Sequence, residues 1–120
     1  MKILKPFVFA WNGIKICFIS ETNFKIHVLF TIIAIALGIG LHISILEWAA
    51  IIFCIALVLT IEMMNTALEK LCDVLQKEFH PTIKKVKDIA AGAVLVTAVC
   101  SLIIGIVIFL PKIISYIKSA

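Results

Sequence analysis

Apolar residues run along this chain in three long blocks, separated by short polar segments. The uncharged blocks extend from Val28 to Leu41, from Trp48 to Ile61 and from Ile89 to Leu110. A helix needs about 20 predominantly apolar residues to cross the hydrocarbon core of a bilayer, and each block reaches that length with its flanking residues. We therefore predict membrane helices over about 26–46, 48–76 and 82–118, all within a single domain, 1–120.

The N-terminal segment has a different pattern. Phe7, Trp11, Ile14 and Phe18 recur at helical spacing, while lysines and Asn12 occupy other positions. This pattern predicts an amphipathic helix over 1–22 that lies in the membrane interface, with Trp11 at the level of the headgroups.

Composition supports a membrane protein. Of 120 residues, 63% are hydrophobic and 15% are charged, whereas soluble domains have about half and about a quarter. The predicted fold is therefore an all-α integral membrane protein. So small a bundle has little interior of its own, which favours an oligomer.

The basic residues, all of them lysines, indicate the topology. They cluster in the N-terminal segment and around the second loop, and the turn at 41–47 has none. Because lysine-rich loops stay on the cytoplasmic side, the N-terminus and the loop at 70–88 are predicted to be cytosolic and the C-terminus outside. The net charge of +4 follows from this arrangement and does not call for a nucleic-acid partner.

One face of the second membrane helix is polar at its cytosolic end. At about 100° per residue, five side chains fall within a stripe about 100° wide: Glu62, Asn65, Thr66, Glu69 and Asp73. A charge beside a membrane span is costly and marks a candidate functional site. A short loop joins this helix to the next, so Lys84, Lys87 and Asp88 should lie opposite the stripe.

These residues suit phosphoryl transfer from a cytosolic nucleotide to a membrane alcohol. Glu21 and Glu69 can hold Mg²⁺, which prefers oxygen ligands, and Lys87 can neutralise phosphate charge. Asn65 can orient a phosphate oxygen or a water, and Glu62 can act as general base for a lipid hydroxyl. Two other classes remain open: a small ion-conducting bundle, and a non-enzymatic adaptor whose basic loop holds anionic lipid.

Three stretches of the chain form one specific pattern: Glu62-x-x-Asn65-Thr66-Ala67-x-Glu69-x-x-x-Asp73, His80-Pro81 and Lys87-Asp88-x-Ala90-Ala91-Gly92-Ala93. In this pattern the chain resembles the prokaryotic diacylglycerol kinase family. Members of this family are small trimeric lipid kinases of the bacterial cytoplasmic membrane, with three membrane helices and a surface helix. The resemblance implies ATP and Mg²⁺ as cofactors, and a homotrimer whose neighbouring subunits share each active site.

The resemblance also implies roles for individual residues. Glu62 would be the general base, Glu21 and Glu69 the metal ligands, and Asn65 and Lys87 the contacts to the phosphates or the reaction centre. The nucleotide site would be lined by Phe9, Glu78, Phe79, His80 and Asp88. Phe9 and Lys2 depart from the Tyr and Arg of some members. His80-Pro81 and the alanine-glycine run are more similar to the branch that phosphorylates undecaprenol; the alternative acceptor is diacylglycerol, which would give phosphatidic acid.

Overall fold

The computed structural model describes residues 3–75 and 80–120 and forms four α-helices in these ranges. They are α1 (Lys5–Ser20), α2 (Thr22–Gly40), α3 (Ile45–Leu75) and α4 (Pro81–Ser119). Of the described helices, α2, α3 and α4 are long and apolar enough to cross a membrane. The predicted all-α fold of one N-terminal helix and three membrane helices is confirmed. Lys2, Glu78 and Phe79 lie outside the described residues.

A single residue separates α1 from α2. Glu21 adopts an extended conformation (φ −115°, ψ 113°) that interrupts the helix, and its N–H still bonds the carbonyl of Cys17 at 3.0 Å. The chain therefore turns at Glu21 and starts α2 at Thr22, a few residues before the predicted start at about 26. Glu21 is thereby placed at one end of α2, where α1 and α2 meet.

The turn between α2 and α3 is defined by the backbone of His42. This residue has a left-handed φ of 54°, and the N–H of Ile43 donates to the carbonyl of Gly38 at 3.2 Å. Such a closing bond across a left-handed residue is a common way to end a helix. For this reason α2 ends at Gly40, whereas the apolar pattern alone suggested an end at about 46.

The start of α3 is fixed by a reciprocal pair of side-chain bonds. The N–H of Glu47 donates to Ser44 Oγ at 3.2 Å, and the N–H of Ser44 donates to Glu47 Oε1 at 2.9 Å. This capping box satisfies N–H groups that have no partner inside the helix. It starts α3 at Ile45, three residues before the predicted start.

The apolar core lies at this same end of the bundle. Ile43, Ile51, Ile108 and Phe109 are buried against one another, and Lys112 Nζ pairs with Glu47 at 3.2 Å, which joins α3 to α4. Pro111 lies within the last helix. The helix does not end there: α4 continues through Pro111 to Ser119.

A groove of about 540 Å³ runs between α2, α3 and α4 towards the opposite end of the bundle. Its walls are mainly apolar, and side chains along its length include His27, Thr31, Cys54, Val58, Leu102 and Phe109. The groove thus extends from the apolar core to His27 on α2 and Val58 on α3.

Candidate active site

The polar stripe of α3 is partly buried within the bundle. Glu62 and Thr66 are each only 2% exposed, and Thr66 Oγ1 donates to the carbonyl of Glu62 at 3.1 Å. Cys17 of α1 is buried close to Thr66, and burial raises the pKa of its thiol. α1 therefore packs on α3 beside Glu62. The Thr66 hydroxyl bonds the backbone of its own helix, as threonines within helices often do.

Two buried oxygens on this face have no hydrogen-bond partner among residues 3–75 and 80–120: Glu62 Oε2 and Asn65 Oδ1. The amide nitrogen of Asn65 is held, since it donates to Glu69 Oε1 at 3.2 Å. A buried acceptor without a donor is costly and is uncommon in native proteins. The face is thus suited to receive a donor or a cation.

His27 is the side chain that faces Glu62. Its Nε2 lies 3.5 Å from Glu62 Oε2, and its side chain is 19% exposed. No role for His27 was predicted from the sequence. The signal available was its position at the start of the first apolar block, which is the same depth as Glu62 in an antiparallel pair of helices.

Lys87 and the Asp73 end of the stripe are brought together. Lys87 Nζ lies 2.6 Å from Asp73 Oδ1, and this pair links α4 to α3. Within α4, Lys84 Nζ lies 2.6 Å from Asp88 Oδ2, one turn later in the same helix. Both pairs are largely solvated, and such surface pairs contribute little to stability. Their main effect is to set where the charges lie.

The remaining predicted site residues are less closely gathered. His80 caps α4, because its Nδ1 accepts the N–H of Thr82 at 3.2 Å. Phe9 is exposed on α1. Asp88 is exposed and held by Lys84. None of the described contacts joins these three side chains to Glu62 or Asn65.

Several side chains here carry oxygens, the ligand atoms that Mg²⁺ prefers. The described ranges contain no group of three His, Cys, Asp or Glu residues that could hold a metal ion alone. Mg²⁺, however, usually binds proteins through one or two carboxylates and keeps waters or substrate phosphates as its other ligands. Glu69, the unpartnered Asn65 Oδ1 and the Glu21 carboxylate at the α1–α2 junction supply oxygens of this kind.

The fold and this site define a small integral membrane enzyme, with three membrane-length helices and a buried carboxylate at one end. The chain belongs to the prokaryotic diacylglycerol kinase family, whose model matches residues 8–109. It is therefore a lipid kinase, and membership of a kinase family makes ATP the phosphate donor. The ion-conducting and adaptor classes are set aside.

Several curated proteins are similar over most of the chain. The undecaprenol kinase of Bacillus subtilis is 40% identical over 111 residues, which cover 92% of this chain and 90% of that protein. A diacylglycerol kinase of Synechocystis is 34% identical over 94% of this chain and 65% of its own length. The diacylglycerol kinase of Escherichia coli K12 is 24% identical over 85% and 84%.

Proposed function

We propose that this kinase transfers the γ-phosphate of ATP to the primary hydroxyl of undecaprenol in a Mg²⁺-dependent reaction. The observation that carries the proposal is the buried Glu62, with one unpartnered oxygen. It lies on the same face of a membrane helix as Asn65 and Glu69. A carboxylate there can accept a proton from an alcohol that reaches it from the bilayer.

The proposed chemistry is an in-line displacement. Glu62 takes the hydroxyl proton while the lipid oxygen forms a bond to the γ-phosphorus. The bond from that phosphorus to the β–γ bridging oxygen breaks, and ADP leaves. Lys87 offsets phosphate charge, and Asn65, fixed by Glu69 at 3.2 Å, orients a phosphate oxygen. When bound by Glu21 and Glu69, Mg²⁺ would neutralise further phosphate charge.

Undecaprenol is favoured over diacylglycerol by two resemblances. The 40% identity to the Bacillus subtilis undecaprenol kinase spans nearly the whole chain. The His80-Pro81 pair resembles the sequence of the family branch that phosphorylates undecaprenol. The test is a transfer assay with purified protein, ATP and Mg²⁺, in separate mixed micelles of each lipid. Preference for diacylglycerol would overturn the substrate assignment; no transfer to either lipid would overturn the proposed reaction.

Glu62→Gln tests the role of the base. The variant keeps the size of the side chain but cannot accept the proton, so kcat should fall by about 10²- to 10⁴-fold. Glu47→Gln is the matched control, because it makes the same change at the other end of α3. Glutamine still suits a capping box there, and the contact that is lost is the ion pair with Lys112. Glu62→Gln with wild-type turnover, in protein that folds normally, would remove Glu62 as the base.

The same proposal includes a homotrimer with shared active sites in the bacterial cytoplasmic membrane, N-terminus cytosolic and C-terminus outside. The orientation is supported by the lysine distribution, and the homotrimer by how little interior so small a single chain encloses. Light scattering in detergent measures the mass of the assembly. A monomer that retains full turnover would contradict shared sites.

A further inference from the structure

The carboxylate of Glu62 is buried but not fixed by its own helix. Within residues 3–75 and 80–120, Oε2 has no hydrogen-bond partner, and His27 Nε2 lies at 3.5 Å. That separation is beyond the usual range for a hydrogen bond of this type. Catalytic hydrogen bonds are often long in the absence of substrate and shorten in the reacting complex.

His27 also stands between Glu62 and the groove. Its side chain lines the groove, whereas Glu62 is not among the lining residues. The backbone of His27 is held in α2, where its carbonyl accepts a bond from Thr31 Oγ1 at 2.8 Å. A lipid hydroxyl that reaches Glu62 along the groove therefore passes the imidazole.

We propose that His27 is a positioning residue for the general base. Its Nε2 holds Glu62 Oε2, which orients the carboxylate and leaves Oε1 to take the proton of the lipid hydroxyl. This inference rests on the proposed function, because it needs Glu62 to be the base. The imidazole itself transfers no proton in this scheme.

Two substitutions of His27 by a polar amide test whether the hydrogen bond to Glu62, and not the shape of the imidazole, is what matters. His27→Gln can place an amide N–H near the position of Nε2, whereas the shorter side chain of His27→Asn cannot reach Glu62. A hydrogen bond to a charged group corresponds to about a 10- to 100-fold effect. We therefore expect kcat for the lipid to fall by about that factor in His27→Asn, and to stay near wild type in His27→Gln.

The remaining measurements exclude a general loss of structure. KM for ATP should be unchanged in both variants, because the nucleotide side of the site does not include His27. Thr97→Val is the control: it removes a hydroxyl that bonds only its own helix at a position outside the groove lining, and should leave kcat unchanged. Thermal unfolding in detergent checks that the two His27 variants are equally folded.

Each possible result for the two His27 variants either supports or contradicts the positioning role. A slow His27→Asn with an active His27→Gln supports the positioning role. Equal kcat in the two variants overturns it, whether both match the wild type or both are slow, since the N–H at that position is then not what matters. Failure of the proposed function is seen separately, as absence of lipid phosphorylation by the wild-type protein.

Discussion

Gly38→Ala should destabilise the bundle, because a methyl group at this position has no space. A Cβ built on Gly38 would lie 2.7 Å from Trp48 Cη2, 2.9 Å from Trp48 Cζ2 and 3.1 Å from Ile43 Cδ1. Carbon atoms in good contact are about 3.5–4.0 Å apart, so the indole would have to move by roughly 1 Å. Overpacking of this kind costs about 1–3 kcal/mol.

The cost of overpacking can be measured separately by comparing Gly38→Ala with a substitution of a second glycine in the same helix. Alanine is better than glycine in a helix by about 1 kcal/mol, which would mask part of the cost. Gly40→Ala gains the same propensity but meets nothing within 4 Å. The difference in unfolding free energy between the two variants is therefore the overpacking term, about 1–3 kcal/mol in favour of Gly40→Ala.

The assay is equilibrium unfolding in detergent micelles, followed by circular dichroism. Trp48→Phe removes the two indole atoms that clash, so Gly38→Ala should cost at least about 1 kcal/mol less in that background. Equal stability of Gly38→Ala and Gly40→Ala would refute the reasoning. So would an unchanged cost after Trp48→Phe, since the clash would then lie elsewhere.

Two further predictions concern the site and the turn. Glu69→Gln should raise the Mg²⁺ concentration needed for half-maximal activity, because one negative ligand is lost; an unchanged metal dependence, measured by titration at fixed ATP, would count against its ligand role. His42→Gly should stabilise the fold by about 0.5–1 kcal/mol, since glycine adopts the left-handed φ of 54° without a steric cost; a lower melting temperature in detergent would show that the imidazole makes a contact worth more than that strain.

The sequence predicted the helices because the physics that forms them is local. Apolar blocks of membrane length are visible without any tertiary information, and the spacing of Glu62, Asn65 and Glu69 places them on one face of any helix. The helix ends were less accurate. The end of α2 depends on the left-handed conformation of His42, which cannot be predicted from a histidine in the sequence. The start of α3 depends on the capping box of Ser44 and Glu47, which has a recognisable sequence pattern.

The contact between His27 and Glu62 could not be predicted in the same way. It joins two helices through side chains far apart in the chain, so it depends on how far α3 slides and rotates against α2. That register is set by the turn at His42 and by the approach of Trp48 to Gly38. Periodicity identifies a polar face but not the residue that the face meets.

The ion pair between Lys87 and Asp73 has a consequence for nucleotide affinity. The lysine that we propose for phosphate binding already has an anion at 2.6 Å, so ATP must displace an internal competitor. The observed affinity for ATP then depends on how much more strongly Lys87 attracts the phosphates than it attracts Asp73. It is reduced by the fraction of molecules in which Lys87 is paired with Asp73. Selectivity benefits from this competition: a singly charged anion gains little by replacing a carboxylate, whereas a polyphosphate brings enough charge to win the exchange.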